Sequence, residues 1–135
     1  MANTCFFEFK FKGNEEGIKK IIDLFEEANK YNVIPQIGRV ESASYYKDGD
    51  ITYVCGGCAW SVSYAIFKDF KGSILETLIK EYALEAEAFG DEPMECFFEH
   101  FRWENGERVE EEYLDYSNSS RPEETWAIDN KLREV

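Results

Sequence analysis

Between Thr4 and Lys30 the hydrophobic period changes once, from two to about 3.6, and that switch constrains the fold more than any other feature of the chain. Cys5, Phe7, Phe9 and Phe11 alternate with Glu8, Lys10 and Lys12, which predicts a half-buried strand over 4–12. Phe6 interrupts the polar side, so part of that second face is expected to be covered too. Gly13 ends the strand and Asn14 is placed to cap a helix, with Glu15 and Glu16 in the first turn where acids suit the helix dipole. Ile18, Ile21, Ile22, Phe25 and Ala28 then recur at helical spacing, opposite Lys19, Lys20, Asp23, Glu26, Glu27 and Lys30. Asn32 and Pro35 mark the exit.

The rest of the chain supplies further strands and a second helix. Residues 39–47 and 51–55 read as a hairpin turned by Asp48-Gly49, and Gly56-Gly57 is expected to break its second strand. The alternation of Trp60, Val62, Tyr64 and Ile66 with Ser61 and Ser63 predicts a strand over 59–67. Ser73 to Glu76 fits a capping box, followed by the stripe Ile74, Leu75, Leu78, Ile79 and Tyr82. A strand over 84–89 is expected to end at Gly90-Asp91-Glu92-Pro93. Residues 95–103 are apolar on both sides, as in a strand covered twice, and Asn105-Gly106 turns the chain into a more polar strand over 107–113, with Val109 and Tyr113 predicted to face inward.

At 135 residues, with 44% hydrophobic and 16% aromatic composition, this length fits one domain able to bury an aromatic core. We place that domain at 1–115 and a tail at 116–135, where a linker leads to a short helix docked by Trp126 and Leu132. No run approaches the ~20 apolar residues of a membrane span. The first residues lack the basic and apolar regions of a signal peptide, so a cytoplasmic location is expected.

The net charge of −13 is unevenly spread. Residues 81–115 hold 13 acids against Arg102 and Arg108, while the flanking segments are each close to neutral. Such a field repels nucleic acid and anionic membranes and draws a basic protein partner. Its plainer reading is a solvated face. The candidate acidic binding surface is Glu104, Glu107, Glu110, Glu111, Glu112 and Asp115.

Cys55-Gly-Gly-Cys58 is the sharpest local motif: two thiols at this spacing can close a disulfide or give half a tetrahedral zinc site. Cys96 and His100 would complete a Cys3His set, but on one strand they lie about 13 Å apart. A turn with ordinary buried cysteines is the competing reading, and no cofactor is assigned. Glu99, among Phe97, Phe101 and Trp103, is expected to be partly buried with a raised pKa, which makes it and the lone histidine, His100, the first place to look for acid–base chemistry. As neighbours on a strand they point to opposite faces. Asp48-Gly49-Asp50 lacks the rest of a calcium loop, and no phosphate loop or serine-nucleophile elbow is present. Aromatics on a sheet can stack RNA bases, but this charge has the wrong sign.

Strand, helix, hairpin, strand, helix and three strands make an α+β chain. Its kernel is the split βαβ of ferredoxin-like folds, with additional antiparallel strands and both main helices on one face of the sheet. Residues 58–112 resemble the small ferredoxin-like domain family named after the plasmid protein YubB. The resemblance is carried by Cys58-Ala59-Trp60-Ser61, by Lys80-Glu81-Tyr82, by Glu92-Pro93-Met94-Glu95-Cys96-Phe97-Phe98-Glu99-His100-Phe101, and by Asn105-Gly106-Glu107. It implies an origin in plasmids, phages or other mobile elements and supplies no catalytic residues. The function expected is a non-enzymatic acidic protein-binding module, in its concrete form an inhibitor covering a basic surface of a host nucleic-acid-binding or defence protein. A small metal- or thiol-dependent protein using Cys55 and Cys58, and a structural homodimer, are the alternatives.

Overall fold

The computed structural model describes residues 3–31, 33–34 and 38–129, and of the side chains at 33–34 and 38 nothing is stated. Asn32, Pro35 and Leu132 lie outside the described residues. The chain is an α+β protein built on a six-stranded antiparallel sheet. Strand β1 (Thr4–Lys12) leads into helix α1 (Glu15–Tyr31). The two-residue strand β2 (Val33–Ile34) precedes the hairpin of β3 (Gly38–Asp48) and β4 (Ile51–Ala59). A short helix α2 (Val62–Ala65), a 3-10 turn (Lys68–Phe70) and helix α3 (Ile74–Glu81) return the chain to β5 (Glu85–Glu92), β6 (Phe97–Glu104) and β7 (Glu107–Asp115). The sheet order is β3-β4-β1-β5-β6-β7, with β2 added outside β3. Among the described residues no helix is long and apolar enough to cross a membrane.

The period switch at the start of the chain sets the layers. Cys5, Phe7, Phe9 and Phe11 face both main helices and are buried, as is the α1 stripe. Phe25 of α1 packs its ring 5.9 Å from Phe7 and 5.7 Å from Phe9. Leu75 and Ile79 of α3 join the same cluster, and Phe67 links it to Trp103 at 5.1 Å and Phe101 at 6.0 Å. These separations are those of attractive aromatic pairs, so the abundant phenylalanines form one continuous core. Asn14 Oδ1 accepts from the Gly17 N–H at 3.1 Å, the expected N-cap. Ser73 caps α3 through the Glu76 N–H at 3.1 Å, the forward half of the expected box. The Glu76 carboxylate accepts from Trp103 Nε1 at 2.9 Å, which satisfies a buried indole.

Four local expectations are corrected. Gly56-Gly57 does not break β4, which runs through to Ala59. A bulge in β3 between Val40 and Ser42 brings a backbone carbonyl over Gly56, where a Cβ would sit 2.0 Å from the Ser42 oxygen, so only glycine fits. The predicted strand over 59–67 is instead α2 and the approach to the 3-10 turn. Val109 and Tyr113 of β7 are exposed rather than buried, although Tyr113 lies on the helix face beside its cross-strand partner Glu99. The two hairpin turns follow expectation, with positive φ at Gly49 and at both Asn105 and Gly106. Strand β5 continues to Glu92, past the glycine expected to end it.

The opposite face of the sheet is closed over β1, β5 and β6 by residues of the tail. Trp126 meets Phe89 edge-on at 4.6 Å and lies 4.2 Å from Lys10 Nζ. Ile128 is buried. Arg121 pairs with Asp91 at 2.7 Å. Asp91 also accepts from the Tyr116 hydroxyl, whose pKa burial and this bond push up to about 12.

Candidate functional site

The strands bring titratable groups together at three places. The first is the edge strand β7, exposed along its length apart from the half-buried Glu110. Glu107, Glu111, Glu112 and Asp115 are exposed there, while Glu104 and Glu110 are both engaged by Arg102, Glu110 at 3.0 Å. Glu111 is exposed but also lies 4.0 Å from Arg108 Nε, so three of the six predicted acids, Glu104, Glu110 and Glu111, have a guanidinium beside them. Glu87, Glu92 and Glu99, counted within the same acidic segment, are buried and add nothing to the surface charge directly.

The second place is the layer beneath the tail. Lys10 and Glu87 are cross-strand partners on that face, as are Phe89 and His100. Glu87 is 0% exposed. Its Oε2 accepts from His100 Nε2 at 2.6 Å and its Oε1 from the Ile128 N–H at 2.8 Å. Lys10, capped by Trp126 and Tyr53 rings, pairs with Asp129 at 2.5 Å. Buried charges are tolerated when paired and hydrogen-bonded, and this layer meets that condition. Nearby Glu8 has its pKa raised by burial and by repulsion from Glu124. With Nε2 committed to Glu87, His100 turns Nδ1 toward carboxylates, 3.6 Å from Glu110. His100, Glu110 and Glu112 each bring a ligand atom within 4.8 Å of the others. This is the set of described residues able to hold a divalent ion, with Glu87 orienting the imidazole from behind.

Cys55 and Cys58 are not brought together. Three residues apart on one strand, they fall on opposite faces. Cys55 lies 3.6 Å from the Ser44 hydroxyl, on the face of Glu8. Cys58 is buried beside Cys5, its thiol donating to the Ser61 carbonyl at 3.6 Å. A hydrogen bond with Cys5 and burial raise its pKa strongly, which keeps it a thiol. Cys96 lies in the turn before β6, with positive φ, rather than on the strand that carries His100.

The third place surrounds Glu99. Its carboxylate is 2% exposed and points to the helix face, opposite His100. Oε2 accepts from the Val62 N–H at 2.9 Å and Oε1 from the Ser63 hydroxyl at 2.6 Å, so it holds the first residues of α2. Gly90 makes room for it: a Cβ there would lie 2.6 Å from Val62 and 3.1 Å from Glu99 Oε2. Burial raises the pKa of Glu99, against the lowering effect of those bonds. The carboxylate lines a cavity of about 280 Å³ together with Trp60, Ser63, Glu92, Glu95, Phe97 and Tyr113. Trp60 and Tyr113 were not singled out as site residues in the sequence. The only available signal was a tryptophan directly after a strand of small residues, and nothing local ties it to residue 113.

Comparison with protein-family models, with curated proteins and with solved structures found no match.

Proposed function

We propose that the chain is a non-enzymatic acidic binding module that receives a basic protein segment along β7. The observation that carries this reading is the character of that edge. Nine residues present an open row of backbone donors and acceptors, with Glu107, Glu111, Glu112 and Asp115 exposed beside Val109, Tyr113 and Leu114. An extended segment can add to such an edge by main-chain hydrogen bonds. Two copies of β7 paired with each other would set acid against acid, which favours a basic partner over a homodimer. We further read β3-β4-β1-β5 as a ferredoxin-like kernel, supported by its strand order and by α1 and α3 sharing one face. The YubB-type resemblance, the mobile-element origin and the inhibition of a host nucleic-acid-binding protein belong to the same proposal.

The test uses a labelled peptide alternating lysine and valine, followed by fluorescence anisotropy. Binding is expected to weaken as salt rises and to be lost in the triple variant Glu107→Gln, Glu111→Gln, Glu112→Gln. Methylating alternate peptide nitrogens should also abolish it. Equal binding by the triple variant refutes the reading.

A further inference from the structure

The cavity beside Glu99 has a composition that the β7 reading does not use. Three aromatic rings and three carboxylates line it, and among the described residues no lysine, arginine or histidine does. No ion pair among the described residues engages Glu92, Glu95 or Glu99, whereas Arg102, Arg108 and Arg121 are each paired with other acids. The phenol of Tyr113 registers the same environment: burial and then Asp115, Glu99, Glu95 and Glu92 raise its pKa.

The aromatic walls are already in place. Trp60 is 48% exposed and Tyr113 63%, so large rings face water where the core offers them no cover. Trp60 is fixed with φ at 64°, its N–H donating to the Asn3 carbonyl at 2.8 Å and its ring edge-on to Tyr64 at 5.5 Å. Tyr113 stacks on Phe97 at 5.2 Å. Rigid aromatic faces beside carboxylates form the environment that attracts an organic cation, by the ring quadrupole and by charge together. A volume near 280 Å³ falls just below the ~300–1,000 Å³ of pockets that enclose whole small molecules, and so suits one side chain.

We propose that this cavity receives a single arginine side chain of the partner, its guanidinium against the Trp60 and Tyr113 rings and facing Glu95 and Glu99. The proposal rests on the reading of β7 as the partner's edge, since Tyr113 belongs to that strand. Arginine is preferred to lysine because a planar guanidinium stacks on a ring and bonds carboxylate oxygens at the same time. Glu99 retains lone pairs beyond those given to Val62 and Ser63, and Glu95 stands exposed at the rim.

The experiment is an NMR titration of the whole chain with acetyl-arginine methylamide, followed at the three indole N–H signals. Parallel titrations use the citrulline and lysine analogues, citrulline having the shape without the charge. The Trp60 signal should shift with arginine in the millimolar range, at least 5-fold more tightly than with lysine and without saturation by citrulline. The Trp103 and Trp126 signals should stay in place. Glu95→Gln, an exposed change, should weaken arginine binding several-fold with the spectrum otherwise intact. An equal response to lysine or citrulline, or no Trp60 shift at all, overturns the proposal. The triple β7 variant separates the two readings. It should keep arginine binding, because none of its three residues lines the cavity, while losing the alternating peptide. Loss of the arginine response alone, with peptide binding kept, removes the cavity and leaves β7 standing.

Discussion

Replacing Glu87 by alanine should be among the most damaging single changes in this protein. The carboxylate is wholly buried and accepts two hydrogen bonds, from His100 at 2.6 Å and from the Ile128 amide at 2.8 Å. Removing it leaves both donors without a partner under the tail, and a buried unsatisfied donor costs about 1–3 kcal/mol. Each of the two lost bonds carries that cost, and the bond to His100 is also at ion-pair distance. These terms overlap, so we expect a loss of roughly 3–5 kcal/mol rather than the upper end of their sum. A domain of this size has about 5–15 kcal/mol in all, so the variant should fold but unfold at much lower denaturant. With a urea slope of about 2 kcal/mol/M, the midpoint should fall by roughly 2 M. The assay is urea unfolding by circular dichroism, with fluorescence reporting on Trp126. The tail signal should be altered in Glu87→Ala even before unfolding, because the amide of Ile128 loses its anchor. The double variant Glu87→Leu, His100→Phe should recover part of the loss, since an apolar pair leaves nothing unpaired. A cost below about 1 kcal/mol, or a double variant less stable than Glu87→Ala, would refute the view of this layer as a satisfied polar network.

Two further outcomes follow from the raised pKa values. The folded state lifts the pKa of Glu99, so the stability tied to its protonated form is present below about pH 4.5 and is lost as pH rises through the folded value. Urea unfolding of Glu99→Gln against the parent chain should therefore show the variant gaining relative stability from pH 5 to pH 8, and a gap that shrinks over that range contradicts the burial argument. The thiols should divide into two classes: Cys55 and Cys96, both half-buried, should react with an aromatic disulfide reagent in the native state, while the buried Cys5 and Cys58 should wait for unfolding. Four thiols reacting at one rate would contradict the placement of Cys58.

What was legible in the sequence was whatever local periodicity decides. The alternation of β1, the α1 stripe and the Asn14 cap need only neighbours along the chain, and the structure has all three. The strand expected over 59–67 failed because Trp60-Ser-Val-Ser-Tyr does alternate, yet the amides of Val62 and Ser63 are held by Glu99, 37 and 36 residues away. Likewise, Gly56-Gly57 looked like a break because the bulge that demands a glycine lies on the other strand of the hairpin. Tyr113 was expected to face inward, but at the sheet edge no layer covers its side of β7. Docking of Trp126 could be anticipated from a single tryptophan in a polar tail. The buried Lys10, Glu87 and His100 beneath it could not, since each looks like a solvent-facing residue of an alternating strand.

The ion pair between Lys10 and Asp129 joins residues 119 positions apart, and so ties the first strand to nearly the last described turn. On a ribosome, the ammonium of Lys10 emerges long before its counter-charge, and the sheet can assemble only with that face open to water. The helix-side core can form first, from contacts among β1, α1 and the hairpin. Closing the polar layer is then a final step with a large loop entropy behind it. The tail acts as a latch set after the sheet has been made, and a chain cut short before residue 126 should reach a sheet whose charged layer stays wet.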